Sequence, residues 1–480
     1  MKNKIYFRAD GNAEIGLGHL TRCLALAQML QSKFDVTFLC KEIDKATVAE
    51  IHRLLFSLIE IDNEEDVFNY IGESDIVVLD HYGLTTEIQI RIKAVGCKLV
   101  CIDDIHNKTF FADLIINHAP NVKPSDYNAQ HYTQFAIGLD YVLLRPIFLK
   151  LAKDLNRPNN IENAFVCFGG SDFKNITQVT VEILKQDKRF KHIDVVVGNS
   201  YQHLDQLKQI ISNDERFVLH IGIDSNNVAQ LIMQAGLAIV PASGILQEVL
   251  SIGCRTISGM YIDNQKNIFE NYLLLNAFIS AGDFSRSNIY RAIDIAFNLD
   301  YKVPTKLIDG FSGDRILRLF EQLILENQVL LRRATEDDLS KTFEWASNPI
   351  IRKFFFNVKP VHFEEHKNWF KLRLLNPNSF YYIGLINSKE FGSIRFDIQD
   401  DKAIVSYLID PKFQGAGLGT VLLKKGIELI SKQDGIKISL VQGEVLKENV
   451  ASVKIFKKLG YNICFDDTNN LFKFEKIIRN

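Results

Sequence analysis

Strand-like runs and helix-length segments alternate along the first two thirds of the chain, and the alternation stops once and restarts. Ile5–Arg8, Val36–Cys40, Ile76–Asp80 and Lys98–Asp103 read as strands, each beside a helix-length segment such as Leu20–Ser32. Such alternation predicts a parallel, doubly wound sheet. The polar stretch Lys153–Glu162, containing Arg157-Pro158-Asn159-Asn160, reads as a linker. Strands then resume at Asn163–Phe168, Ile193–Val197, Phe217–Ile221 and Leu237–Pro241. Two Rossmann-like α/β halves are expected, residues 1–152 and 153–328, with a cleft between the carboxyl ends of their sheets.

The pattern changes near residue 329. Val329–Arg333 reads as a strand, and Thr335-Glu336-Asp337-Asp338 has the pattern of a capping box opening a helix through Ala346. A hairpin-rich stretch follows (Tyr381–Ile386, Glu390–Asp397, Lys402–Ile409), then the helix Leu418–Ser431. A third α/β domain is expected over residues 329–480.

A chain of 480 residues is too long for one core, in keeping with this division. A net charge of −2 supplies no long-range pull toward nucleic acid or an anionic membrane, so neither is an expected partner. Any anionic ligand must be held locally. The seven cysteines are scattered, and the Cys97/Cys101 pair has no second pair or nearby histidines to complete a zinc set. Reduced thiols, no metal and a cytoplasmic location are expected. Met1–Phe7 runs directly into a strand, which reads as the absence of a signal peptide. No apolar run reaches the roughly 18 residues of a spanning helix.

Four clusters sit where strands end. In the first, Arg8-Ala9-Asp10 leads through a loop with Gly16 and Gly18 to His19, at the first turn of an apolar helix. Glycines permit close backbone approach, and free amides at a helix start favour an anion. The same positive end disfavours imidazolium, and a neutral imidazole suits general-base work. A histidine that caps or packs is the plain alternative, and the loop lacks the third glycine of a dinucleotide fingerprint. The second cluster is Asp80-His81-Tyr82-Gly83, also at a strand end, where Asp80 as a cap and Tyr82 as packing would be the structural reading. The third, Gly169-Gly170-Ser171-Asp172, offers a backbone nest for a diphosphate. In the fourth, Ser243-Gly244 opens a helix on which Glu248 could accept from ribose hydroxyls, and Asn264-Gln265 follow in a loop.

Taken in order, these residues resemble the UDP-sugar hydrolases of pseudaminic acid biosynthesis, which remove UDP from UDP-2,4-diacetamido-2,4,6-trideoxy-β-L-altropyranose. The resemblance spans roughly residues 1–325. It implies a GT-B-like pair of Rossmann halves and no metal, with His19, Tyr82 and Asp10 as catalytic candidates. The implied UDP-sugar contacts are Arg8, Gly16, Gly18, Gly169, Gly170, Ser171, Asp172, Ser243, Glu248, Asn264 and Gln265. The implied chemistry is water attack at the anomeric carbon with inversion.

In the last domain, Gln414-Gly415-Ala416-Gly417-Leu418-Gly419-Thr420 follows a strand and opens a helix. Further on lies Asn449-Val450-Ala451-Ser452, with Lys458-Leu459-Gly460-Tyr461 behind it. These two stretches resemble the pyrophosphate loop and second motif of the Gcn5-related N-acetyltransferases (GNAT). The resemblance implies an acetyl-CoA co-substrate held by Gln414 through Thr420, Asn449, Ser452 and Phe456. Many members carry tyrosine where Phe456 stands, as the acid for the leaving thiolate. Phenylalanine has no proton to give, so that acid is unassigned here, with Tyr461 or water as weak substitutes. Glu444 is a candidate base for the amine, with a plain surface carboxylate as its other reading. Fusion to the hydrolase points to the 4-amino group of the precursor UDP-amino sugar as acceptor. Two further readings of the first 328 residues stay open: a glycosyltransferase with an acceptor other than water, and a silent nucleotide-sugar binding module.

Overall fold

The computed structural model describes residues 2–11, 18–81, 83–154, 160–170, 172–298, 307–433 and 435–478, without the Asn264 side chain. The fold is mixed α/β, and the chain divides into two compact units, Met1–Leu319 and Phe320–Asn480.

The first unit carries two parallel sheets. One runs Ser57–Glu60, Phe34–Cys40, Asn3–Ala9, Ile76–Asp80, Lys98–Ile102, Leu114–Asn117, Gln134–Ile137 in spatial order. The other runs Phe217–Ile221, His192–Val197, Asn163–Cys167, Leu237–Pro241, Arg255–Gly259, Ile279–Ser280. In each, the first strand of the half lies inside the sheet, and the chain leaves it in one direction before returning to its other side. That reversal creates a crevice at the carboxyl ends of Asn3–Ala9 and Ile76–Asp80, and a second at those of Asn163–Cys167 and Leu237–Pro241. Strands covered on both faces should be apolar throughout. Ile76-Val77-Val78-Leu79-Asp80 is accordingly buried along its whole length. The helix Gly18–Leu30 buries Leu20, Cys23, Leu26, Ala27 and Leu30, a stripe at helical spacing. Burying each such leucine contributes about 1.5–3 kcal/mol, which fixes the helix start over the first crevice.

The second unit has a sheet ordered Val329–Arg333, Ser379–Ile386, Lys389–Gln399, Lys402–Ile409, Leu440–Leu446, Leu471–Ile477, Asn462–Asp466. Its neighbours are antiparallel except Lys402–Ile409 and Leu440–Leu446, which are parallel and pair only from Lys402↔Leu440 to Ile404↔Gln442. Beyond that point the two strands part. The expected capping box is present at Thr335, opening a 3₁₀ turn (Glu336–Asp338) that leads into the helix Leu339–Ser347. The division between units falls inside the helix Ser312–Gln328, whose final turns belong to the second unit. There Glu326 accepts from Lys424 Nζ at 3.0 and 3.1 Å, and Gln322 Oε1 accepts from Lys458 Nζ at 2.5 Å.

Candidate active sites

At the first crevice, a buried carboxylate organises the helix start. Asp80, at the end of its strand, lies 2.7 Å from His19 Nδ1 through Oδ1. Arg22, one helical turn beyond His19, donates to Asp80 Oδ2 from Nε and to Oδ1 from Nη2, both at 2.6 Å, and to Asp104 Oδ2 from Nη1 at 2.9 Å. Burial alone would raise the Asp80 pKa, but the charge and hydrogen bonds of Arg22, with His19, outweigh it and hold the carboxyl below its ordinary value. Arg22 Nη2 also lies 3.1 Å from His19 Nδ1. A guanidinium can only donate and a carboxylate can only accept, so these neighbours ask for opposite tautomers. The shorter carboxylate contact wins, because without a hydrogen on Nδ1 its lone pair would face those of Asp80 Oδ1 at 2.7 Å, whereas Arg22 Nη2 has Asp80 as an acceptor in any case. Nδ1 then carries the hydrogen, and the basic lone pair of His19 is on Nε2.

Beside this group Arg8 and Asp10 form a second buried pair. Arg8 donates to both Asp10 oxygens at 2.6 and 2.8 Å and to Glu64 at 2.9 and 2.5 Å. Asp10 Oδ1 also accepts from the Lys41 and Glu42 amides at 2.8 and 3.1 Å. His81 Nε2 stands 3.9 Å from Asp10 Oδ2, and its ring centre is 6.2 Å from that of His19. Burial lowers the His81 pKa, partly offset by Asp10. Gly83 donates its amide to His81 Nδ1 at 3.0 Å, and a Cβ there would meet the His81 ring at 2.9 Å. The sequence thus brings Arg8, Asp10, Gly18, His19 and Asp80 together. Gly16 and Tyr82 lie outside the described residues.

The second crevice is made of backbone. Gly169 has φ +86°, and a Cβ at Gly169 or Gly170 would meet open space. Gly198 lets the neighbouring strand end approach, since a Cβ there would lie 2.4 Å from the Gly170 carbonyl oxygen. The Asp172 carboxylate turns inward and accepts from the amides of Ile176 and Thr177 at 3.0 and 2.7 Å, so it caps the helix Ile176–Gln186 itself. Burial raises its pKa, against the pull of those amides. Ser243 starts the helix Gly244–Ile252 with no side-chain cap. Glu248 Oε1 accepts from Arg145 of the first half, at 2.9 Å from Nε and 2.6 Å from Nη2. Gln265 is buried and accepts from the Tyr261 amide at 2.9 Å. Ser171 and the Asn264 side chain lie outside the described residues.

In the second unit, Gln414, Gly415, Ala416 and Gly417 are exposed. Gly415 and Gly417 have φ of +82° and +78°, and Gly417 begins the helix Leu418–Ser431 without a side-chain cap. Leu418, Gly419 and Thr420 turn inward. A Cβ at Gly419 would lie 2.8 Å from Ile455 Cδ1, so this glycine serves contact between two helices. Asn449 Oδ1 accepts from the Ser452 amide at 3.2 Å and caps the helix Val450–Lys458. Phe456 is a core residue, stacked on Phe474 at 4.7 Å and edge-on to Tyr461 at 4.8 Å. The Tyr461 hydroxyl is itself buried, without a hydrogen-bond partner among the described residues, and burial raises its pKa. Glu444 is exposed on its strand, in register with Lys473.

Sequence reasoning missed Arg22, Glu64, Asp104 and Arg145, which carry ion pairs at the two crevices. Arg22 is the one a helical reading could have found, since it lies three residues after His19 on the same face. Among the described residues, no group of three or more His, Cys, Asp or Glu could hold a metal, and no helix is long and apolar enough to cross a membrane.

Such a molecule is defined by its parts: a Rossmann pair with a His–Asp dyad at one crevice, followed in the chain by an acetyltransferase domain. Residues 328–462 match the Acetyltransferase (GNAT) domain family and form the C-terminal domain of this chain. The N-terminal half is similar to the UDP-2,4-diacetamido-2,4,6-trideoxy-beta-L-altropyranose hydrolase of Campylobacter jejuni, 28% identical over 271 residues, covering 55% of this chain and 94% of that one. It is also similar to the spore coat polysaccharide biosynthesis protein SpsG of Bacillus subtilis, 26% identical over 331 residues, 66% of this chain and 97% of that one. An uncharacterized protein of Methanocaldococcus jannaschii is 26% identical over 486 residues, 95% of this chain and 96% of its own. The chain fuses a hydrolase-like half to a GNAT acetyltransferase domain.

Proposed function

We propose that this chain is a bifunctional nucleotide-sugar enzyme of pseudaminic acid biosynthesis. In this reading it acetylates the 4-amino group of a UDP-amino sugar with acetyl-CoA, then hydrolyses the diacetamido product to release UDP. The observation that carries the hydrolytic half is the His19–Asp80 pair at the reversal point of the first sheet.

A water oxygen attacks the anomeric carbon while His19 Nε2 takes its proton. The bond from that carbon to the diphosphate oxygen breaks, its electrons leave with UDP, and the sugar keeps an inverted hydroxyl. Asp80 stabilises the imidazolium that forms, and Arg22 keeps Asp80 ionised when His19 is neutral. Tyr82 is the second catalytic group of this reading. Asp10 acts through Arg8 and His81, to which its geometry ties it. The leaving diphosphate is met by the Gly169–Gly170 backbone and the uncapped helix start at Ser243–Gly244, with Glu248 and the Asn264-Gln265 turn toward the nucleoside.

In the acetyltransferase domain the acceptor amine attacks the thioester carbonyl, the coenzyme leaves as thiolate, and the amine loses a proton, with Glu444 as the candidate base. The amides from Gly415 to Thr420 hold the coenzyme's diphosphate. The thiolate takes its proton from solvent, because Phe456 has none and the Tyr461 hydroxyl is sealed in the core.

The test follows UDP release and acetyl incorporation by mass spectrometry on candidate UDP-sugars. His19→Asn should lower UDP release about 10²–10⁴-fold while leaving UDP binding and acetyl transfer in place. A wild type that releases no UDP without a second sugar acceptor overturns the hydrolase in favour of a glycosyltransferase or a binding module. If the 4-amino sugar nucleotide gains no acetyl group, the acceptor assignment fails.

A further inference from the structure

All strands of the first sheet are parallel, so all their carboxyl ends lie along one edge. Asn3–Ala9 delivers Asp10, Ile76–Asp80 ends in Asp80, and Lys98–Ile102 leads to Asp104. The next strand, Leu114–Asn117, ends immediately before His118. This histidine belongs to none of the clusters the motifs pick out.

The His118 ring is half-buried, and its Nδ1 accepts the Leu143 amide at 3.3 Å. An amide can only donate, so Nδ1 carries the lone pair and the ring hydrogen of the neutral form sits on Nε2. Among the described residues Nε2 has no hydrogen-bond partner, and it is not one of the sealed polar atoms. The charged groups acting on the ring are Arg22, which opposes a second positive charge, and Asp104 and Asp80, which favour one; burial is the largest influence, and the balance keeps the ring neutral. Asp80 and Arg22 are the residues that contact His19, and Asp104 holds Arg22 in turn. Two imidazoles therefore share one charge cluster with opposite tautomers. On His19 the carboxylate leaves Nε2 as an acceptor, and on His118 the backbone amide leaves Nε2 as a donor.

We infer that His118 is a second substrate-contacting histidine of the hydrolytic site, a fixed neutral N–H donor to an oxygen of the bound sugar. It moves no proton. It orients the sugar ring against the water that His19 deprotonates. The assignment to a sugar oxygen rests on the proposed nucleotide-sugar reaction, with the nucleotide held by the glycine loops of the other half.

The experiment compares wild type, His118→Phe and His118→Gln in the full-length chain. UDP release is followed against pH, UDP binding is measured by calorimetry, and thermal melting checks folding. His118→Phe should lose about tenfold to a hundredfold in kcat/KM, with UDP binding unchanged. His118→Gln, which keeps an N–H near the Nε2 position, should recover most of the loss, and neither change should move the pH profile of UDP release. A His118→Phe enzyme within twofold of wild type overturns the inference. So does an equal loss of UDP affinity, which would place the donor on the nucleotide, or a displaced acidic limb, which would make His118 a titrating acid. If the phenylalanine variant does not fold, His118→Gln decides alone: near-wild-type turnover with an unmoved pH profile supports the donor, and a loss beyond tenfold overturns it. A wild type that never releases UDP removes the underlying reaction and this inference together, whereas an active wild type with an indifferent His118→Phe removes only the inference.

Discussion

The two crevices of the hydrolase-like unit stand at equivalent points of similar sheets and are built from opposite materials. The first is crowded with charge: Arg8 holds Asp10, and beside that pair Arg22 and Asp80 hold His19, all through contacts of 2.6–3.1 Å. The second presents glycine backbone and an uncapped helix start, with the Asp172 carboxylate turned onto its own helix and the Glu248 carboxylate neutralised by Arg145. A proton acceptor needs charges fixed around it, since they set its tautomer and stabilise the cation it becomes. An anion site needs bare amides, and a carboxylate pointing into it would compete for them. One fold, used twice, meets both needs by changing only the loop and helix start at the end of each strand.

The largest expected effect breaks the charged crevice. Asp80→Asn leaves the buried Arg22 with only the more exposed Asp104 as counter-charge, which should cost about 2–4 kcal/mol in urea unfolding. UDP release should fall about a thousandfold or more, because the amide does not select the His19 tautomer or stabilise its cation. Adding Arg22→Met should restore most of the stability and none of the turnover. Recovered turnover in the double variant would show that the charges merely balance each other.

The same rule extends to the acetyltransferase domain. Gly417 opens its helix at φ +78°, and a Cβ there would make only an ordinary contact, 3.7 Å from Leu325 Cδ1. Strain of about 1–2 kcal/mol is then the main penalty of Gly417→Ala. It should appear as roughly tenfold weaker acetyl-CoA binding by calorimetry. Gly419→Ala, which drives a methyl toward Ile455, should lower the melting temperature and leave coenzyme affinity nearly intact. Equal losses of affinity in both variants would mean that the loop is one packed unit and not an amide cradle.

How much of this was legible in the sequence depends on distance along the chain. The Rossmann halves, the helix Leu418–Ser431 and the strand ends bearing Asp10, Asp80 and Gly169 declare themselves by local pattern, because each motif is contiguous with the strand that presents it. Arg22, Asp104, Arg145 and His118 have no motif. They meet only through a strand order, and Leu114–Asn117, the strand that delivers His118, is too short to stand out. Asp172 was legible as part of a glycine loop, but its inward turn was not. That turn depends on a φ of +38° at the residue itself, which composition does not encode. Phe456 marked a missing acid, and only the packing against Phe474 and Tyr461 shows that its ring fills the core.

His118 supplies a pH test of the first crevice. Its pKa is pushed down to about 4, by burial first and then by Arg22. The unfolded chain therefore takes up a proton near the ordinary value of about 6.5 that the folded site refuses. The stability of a neutral His118 is fully present above about 6.5 and is lost as pH falls toward 4, a decrease on the order of 1–3 kcal/mol. Urea melts between these limits should show the decline in wild type and a flatter curve in His118→Gln. Parallel curves would mean that the ring protonates freely and that the charge cluster does not extend to it.

The smallest effect probes the bare crevice. Asp172→Asn keeps an oxygen for the amides of Ile176 and Thr177 but removes a charge from the helix start. Stability should change by less than about 1 kcal/mol, because the cap is kept and the burial cost of the charge opposes its gain at that end of the helix dipole. UDP affinity should rise about twofold to fivefold, because a negative charge near the Gly169–Gly170 loop opposes a diphosphate. Calorimetric titration with UDP separates the two contributions from melting. If affinity instead drops tenfold, Asp172 turns toward the ligand when it binds, and the second crevice would use a carboxylate much as the first one does.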